Sequence, residues 1–168
     1  APDMKVVARE KVAAAVQSGE YGSRELTIRV NSIETEWHTD DLRSAAQAGP
    51  DGIVVPKVSS AADVVAVERV IEAAGVPDHT RIWAMLETPE AVERAVEIAT
   101  SSERLSVLIM GTNDLAKELR AALVPGRAPL LWGLARCLNA ARYAGKIILD
   151  GVYNDVRDPD GFALEATQ

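Results

Sequence analysis

The 168-residue sequence contains a single cysteine, Cys137, so no disulfide can form within the chain, which fits a reducing compartment. Its only two histidines, His38 and His79, lack the spacing of paired metal ligands. There is no phosphate-binding glycine loop, dinucleotide fingerprint, zinc pattern or nucleophile elbow. No apolar run approaches the roughly 18 residues of a membrane span, and nothing reads as a signal peptide. The expectation is a cytoplasmic chain with no membrane partner. A net charge of −7 supplies no basic surface for nucleic acid, although it leaves room for one local cationic pocket. Linkers, low-complexity segments and a second core are also absent, so residues 1–168 read as one domain.

The remainder is an ordinary globular composition, 48% hydrophobic and 26% charged, arranged in strict alternation of helix and strand. Apolar, β-branched runs predict strands over Leu26–Val30, Gly52–Val55, Ile82–Leu86, Ser106–Met110 and Lys146–Leu149. Helical patterns cover Met4–Ser18, Asp40–Ala48, Ala61–Ala74, Pro89–Ala99, Pro129–Tyr143 and Pro159–Ala166. Thr88-Pro89 and Ser60 before Asp63 are helix-start signals, and Gly49, Gly75 and Gly145 follow helices where a C-terminal cap belongs. The strand runs are continuous rather than alternating, which predicts parallel strands buried on both faces. Either an open doubly wound sheet or a (β/α)8 barrel satisfies this order. A full barrel takes about 250 residues, so five strands make most of one but not all. The start at Ala1-Pro2-Asp3, without Met, and the end at Gln168 inside a helical pattern read as a barrel truncated at both ends.

Two strand runs end abruptly in an acid: Ile82-Trp-Ala-Met-Leu-Glu87-Thr88-Pro89 and Val107-Leu-Ile-Met-Gly111-Thr112-Asn113-Asp114. The carboxyl edge of such a sheet is where α/β proteins carry chemistry. Two carboxylates there suit a hard divalent cation, and the Gly111-Thr112-Asn113 turn lets Asp114 come alongside Glu87. Helix capping is the competing reading, with Glu87 preceding one helix and Asp114 capping Leu115–Leu119. Arg29, in Thr27-Ile28-Arg29-Val30-Asn31, has apolar neighbours in a strand expected to be buried. A buried guanidinium needs an anion, either a structural carboxylate or the carboxylate or carbonyl of a substrate. Lys57 follows a strand end and is read as solvated or ion-paired. His79 precedes a strand, on the opposite edge, and reads as structural; His38, in a polar loop after the Arg29 strand, stays open. Cys137 lies in an apolar helix pattern and reads as a buried, inert thiol. The loop Val124–Pro129 is a candidate for the rim of the site.

Taken together, Ile28-Arg29-Val30-Asn31, Gly52-Ile-Val-Val-Pro56-Lys57-Val58, Met85-Leu-Glu87-Thr88, Gly111-Thr-Asn-Asp114-Leu115 and Asp150-Gly151-Val152-Tyr153 resemble the citrate lyase β-subunit-like family, within the HpcH/HpaI aldolase superfamily. The resemblance implies a (β/α)8 barrel, Mg2+ between Glu87 and Asp114, and Arg29 gripping a 2-oxo acid such as oxaloacetate or glyoxylate. Gly111, Thr112 and Asn113 would line the substrate with them. It further implies a CoA thioester partner, carbon–carbon bond cleavage or formation, and a homotrimer or hexamer. Family members carry an acidic segment upstream of the residues matching Ala1-Pro2-Asp3, and a final strand beyond those matching Gln168. No general base is named from this chain. An aldolase acting on 4-hydroxy-2-oxo acids without CoA, and an inactive barrel or α/β binding module, are the alternatives.

Overall fold

A computed structural model describes residues 4–168; the expectations placed on Ala1-Pro2-Asp3 lie outside the described residues. In chain order the elements begin with α1 (Lys5–Gln17), β1 (Thr27–Arg29), α2 (His38–Ala48), β2 (Gly52–Val55), α3 (Ala61–Ala73) and β3 (Arg81–Leu86). They continue with α4 (Pro89–Glu93), α5 (Ala95–Ala99), β4 (Leu105–Met110), α6 (Thr112–Glu118), a 3-10 helix (Pro125–Leu130), α7 (Leu131–Tyr143), β5 (Ile147–Leu149) and α8 (Pro159–Ala166). All five strands are parallel and their order in the sheet is their order in the chain, β1-β2-β3-β4-β5. A doubly wound sheet reverses order at a switch point, and this one does not. The helices pack on one another in succession, α1 on α2, α2 on α3, α3 on α5 and α5 on α7, forming a single layer. Five consecutive βα units of a (β/α)8 barrel therefore make up the described residues.

That layer decides which strand side chains are sealed. Ile53, Ile82, Ala84, Leu86 and Leu108 face the helices and are fully buried with Leu42, Val64, Ile71 and Ile98. On the opposite face, one row runs Arg29, Val54, Trp83, Val107, Ile147 across the five strands. Burial on both faces, expected from the continuous apolar runs, holds in the middle of that row, where Val54 is 7% and Val107 3% exposed, and fails at β5, where Ile147 is 57% exposed and Leu149 41%. The helix layer packs on the other side of the sheet.

Local signals explain most element ends. Ser60 and Asp63 form a reciprocal capping box at the start of α3, and Gly49 closes α2 in the left-handed conformation. The helix expected over Pro89–Ala99 is instead two short ones, broken at Arg94 (φ −96°, ψ 15°). Arg136 of α7 occupies the freed carbonyls, donating to Val92 O at 2.9 Å and Glu93 O at 2.7 Å. Cys137 is buried as expected, and desolvation pushes its thiol up to about 12.

Candidate active site

At the carboxyl edge of the sheet a cleft of about 410 Å³ opens between the ends of β1 to β5. Arg29, Lys57, Glu87, Gly111, Thr112, Asn113 and Asp114 all line it, as do Asn31, Ser32 and Asp150. Glu87 is the residue directly after β3 and is only 4% exposed. Asp114 lies in the first turn of α6, which begins directly after Gly111. Neither acid caps a helix. Thr88 does so for α4, accepting from Ala91 N at 3.1 Å, and α6 starts at Gly111 without a side-chain cap.

Glu87 is held by its surroundings rather than by a counter-ion. Gly111 N donates to Leu86 O at 3.0 Å, which sets the β4 end against the β3 end. A Cβ on Gly111 would come within 2.7 Å of Glu87 Cγ and 2.8 Å of its Cβ, so the carboxylate rests where a side chain would otherwise be. The Lys57 N–H, on a residue with φ 55°, donates to Glu87 Oε1 at 3.3 Å. Burial, and then the neighbouring Asp114 carboxyl, raise the Glu87 acid to about 7. Two crowded carboxylates of this kind are relieved by a proton or by a cation. The donor set, hard oxygens on adjoining strand ends, fits Mg2+, which commonly takes one or two protein carboxylates and completes its shell from water and substrate. No cluster of three or more His, Cys, Asp or Glu that could hold a metal occurs among the described residues.

Arg29 corrects one expectation and keeps another. It is exposed rather than buried, because β1 turns it to the helix-free face, and among the described residues it makes no ion pair. It still lines the same cleft as Glu87 and Asp114. Lys57 is exposed at that edge, also without an ion pair among the described residues. Thr112 and Asn113 line the cleft and are tied to the segment that follows β5. Thr112 packs on Gly151, and Asn113 exchanges two amide hydrogen bonds with Asn154 at 3.0 and 2.8 Å.

His38 does not line the cleft; its Nδ1 lies 2.7 Å from Asn31 O, behind it. His79 is at the amino edge, with Nε2 3.1 Å from Gly49 O. Arg127, in the candidate rim loop, binds Asp150 with two contacts of 2.8 Å.

Three polar residues of the cleft, Asn31, Asp150 and Ser32, are not among the site candidates that the sequence offers. Asn31 stands two residues beyond Arg29, the spacing that keeps a face along a strand. Asp150 follows β5 just as Glu87 follows β3, so the same positional signal pointed to it. Ser32 carries a buried hydroxyl with no hydrogen-bond partner among the described residues.

The model of the HpcH/HpaI aldolase/citrate lyase family matches residues 1–168. The chain belongs to this family. It is 45% identical over 168 residues to a (3S)-malyl-CoA thioesterase of Cereibacter sphaeroides (strain KD131 / KCTC 12085), covering 100% of this chain and 56% of that protein. Over 167 residues it is 37% identical to the citrate lyase subunit beta of Escherichia coli (strain K12), covering 96% and 55%. In three dimensions it is similar to the protein CitE from Mycobacterium tuberculosis in complex with magnesium and acetate, with a TM-score of 0.78 and 25% identity over 99% of this chain and 66% of that one. The chain spans about half the length of the curated HpcH/HpaI relatives it matches. No described helix is long and apolar enough to cross a membrane.

Proposed function

We propose that the protein is a Mg2+-dependent carbon–carbon lyase, or the reverse condensing enzyme, acting on a 3-hydroxyacyl-CoA such as malyl-CoA or citryl-CoA to give acetyl-CoA and a 2-oxo acid. The observation that carries this reading is the convergence of Glu87, Asp114 and Arg29 on one cleft. Glu87 and Asp114 would hold the cation through their carboxylates. When bound, Mg2+ supplies Lewis-acid polarisation of the oxo-acid oxygen.

The chain's own groups do the rest. Arg29 takes the oxo-acid carboxylate and sets its orientation, and with Lys57 it draws an anion to an otherwise acidic protein. The Lys57 N–H keeps one Glu87 oxygen pointed into the cleft. Gly111 keeps the space beside Glu87 clear. In the cleavage direction the 3-hydroxyl gives its proton to water, its oxygen becomes the carbonyl of the 2-oxo acid as the carbon–carbon bond breaks, and the electron pair of that bond passes to the α-carbon of the thioester, which takes a proton back from water to give acetyl-CoA. A cytoplasmic homotrimer or hexamer belongs to the same proposal.

A second reading has its own support, since a relative 45% identical is named a (3S)-malyl-CoA thioesterase. Thioester hydrolysis would release malate and free CoA instead. Incubation with malyl-CoA and Mg2+ separates the two. Glyoxylate with acetyl-CoA supports the lyase, whereas malate with a free thiol supports hydrolysis. Turnover of free 4-hydroxy-2-oxo acids with neither thioester consumed would overturn both.

A further inference from the structure

Arg29 reaches the cleft from the end of β1, and one buried carboxylate fastens that end. The β1–β2 ladder runs as far as Val30, whose N–H donates to Val54 O at 3.1 Å. The next amide leaves the ladder: Asn31 N donates to Asp41 Oδ2 at 3.1 Å, and Asn31 Nδ2 donates to the same oxygen. Asp41 comes from α2 and is buried, and its Oδ1 accepts from Arg9 Nε of α1 at 2.8 Å. Lys5 Nζ donates to Asn31 Oδ1 at 2.6 Å, and His38 Nδ1 closes on Asn31 O.

Every polar group of Asn31 is therefore engaged on the protein side. Asn31 lines the cleft, yet its backbone N–H, its amide nitrogen and its amide oxygen each hold a partner on the protein side, so its amide acts as a bolt. Burial alone would raise the Asp41 carboxyl, but the bonds from Arg9 and Asn31 outweigh it and hold the group below its usual value. An ionised, fully bonded carboxylate inside the helix layer is rigid, and removing its charge releases its partners together.

We infer that Asp41 is a positioning residue for the oxo-acid grip: through Asn31 it fixes the carboxyl end of β1 and the direction from which Arg29 enters the cleft. This rests on the reading of Arg29 as the oxo-acid ligand. Glu87 and Asp114 hang from β3 and from the β4–α6 junction, with β2 standing between them and β1. The fastening should therefore govern oxo-acid binding while leaving the cation site alone.

The test is calorimetric titration with Mg2+ alone, then with oxaloacetate at saturating Mg2+. The proteins are the wild type, Asp41→Asn, Asn31→Ser, Arg29→Met and, as a stability control on α3, Val67→Ala. Asn31→Ser keeps the Arg9–Asp41 pair and serves if Asp41→Asn does not fold. A misplaced Arg29 should weaken oxaloacetate roughly 10-fold in Asp41→Asn and Asn31→Ser, with Mg2+ affinity within about 2-fold of wild type. Val67→Ala should melt earlier and bind both as wild type does. Unchanged oxaloacetate affinity in Asp41→Asn and Asn31→Ser, beside a loss in Arg29→Met, overturns the inference alone. A parallel loss of Mg2+ and oxaloacetate binding also overturns it, because the effect is then global. Oxaloacetate binding that is absent in the wild type, or unchanged in Arg29→Met, overturns the oxo-acid reading and this inference with it.

Discussion

Replacing Gly111 with alanine adds one methyl group at a position where the backbone would tolerate it and the site would not. Gly111 has φ −89° and ψ 70°, so alanine meets no conformational barrier. Taken alone, the swap would stabilise the fold by about 0.4–1 kcal/mol, by restricting the unfolded chain. The new Cβ would, however, lie 2.7 Å from Glu87 Cγ, 2.8 Å from Cβ and 3.0 Å from Cδ, against an ordinary contact of 3.4 Å or more. The deficit is 3.4 − 2.7 = 0.7 Å at the closest atom.

Rotating the Glu87 side chain cannot relieve all of this, because Cβ itself is among the atoms struck and its strand is bonded to Gly111 through Leu86 O. Overpacking of this kind costs about 1–3 kcal/mol, leaving a net loss of up to about 2.6 kcal/mol. For a chain of this size that lowers Tm by up to about 10 °C. Mg2+ demands near-ideal oxygen geometry, so a carboxylate moved by more than half an ångström should bind it at least about 10-fold more weakly. Scanning calorimetry reads the first effect and Mg2+ titration the second. Gly111→Ala protein with wild-type Mg2+ affinity would refute the placement of the cation on Glu87, whatever its Tm.

Gly133 in α7 provides the converse: a Cβ there meets Leu115 and Val92 at 3.6 Å, so Gly133→Ala should stabilise the fold by up to about 1 kcal/mol in thermal melts. For Glu87, the folded acid sits near 7 against an ordinary 4.5, so folding favours its protonated form. Metal-free stability should therefore fall as pH rises from 4.5 to 7, with the full cost present above 7. Glu87→Gln should remove that slope and gain on the order of 3 kcal/mol at pH 8 in chelator, as read by urea unfolding. Equal slopes in both proteins would count against a shared, crowded carboxylate pair. Arg127 joins Asp150, Glu165 and Gln168, tying α8 to the rim loop. Arg127→Met should accordingly speed tryptic cleavage after the exposed Arg157, and an unchanged digestion rate would show that the tie is dispensable.

All five strands were legible because each is a short apolar run closed by a turn signal. Their parallel pairing followed from the helices between them. The choice of barrel over doubly wound sheet needed the observed strand order, since both architectures share the same alternation. Glu87 and Asp114 were legible as a pair because position at a strand end is a local property. The exposure of Arg29 was not legible, since the pattern around it does not say which face the helices cover. The break at Arg94 was equally hidden. It depends on Arg136, more than forty residues away, accepting a role that main-chain amides usually fill. Asp41 read only as one acid at the start of a helix, because Arg9 and Asn31 become its partners through folding.

Trp83 gives the protein a built-in optical gauge. Its ring lies over Gly52, where a Cβ would strike Nε1 at 2.5 Å, and it stands in the row that begins at Arg29. Trp37 stacks near Lys5 and Trp132 near Arg136, both away from that row. The ring leans toward Gly52, at the amino end of β2, and so away from the cleft, which Trp83 does not line; its emission should therefore respond to whatever covers the helix-free face of the sheet. A protein with Trp37 and Trp132 changed to phenylalanine would report in real time how that face is covered, without any coupled enzyme.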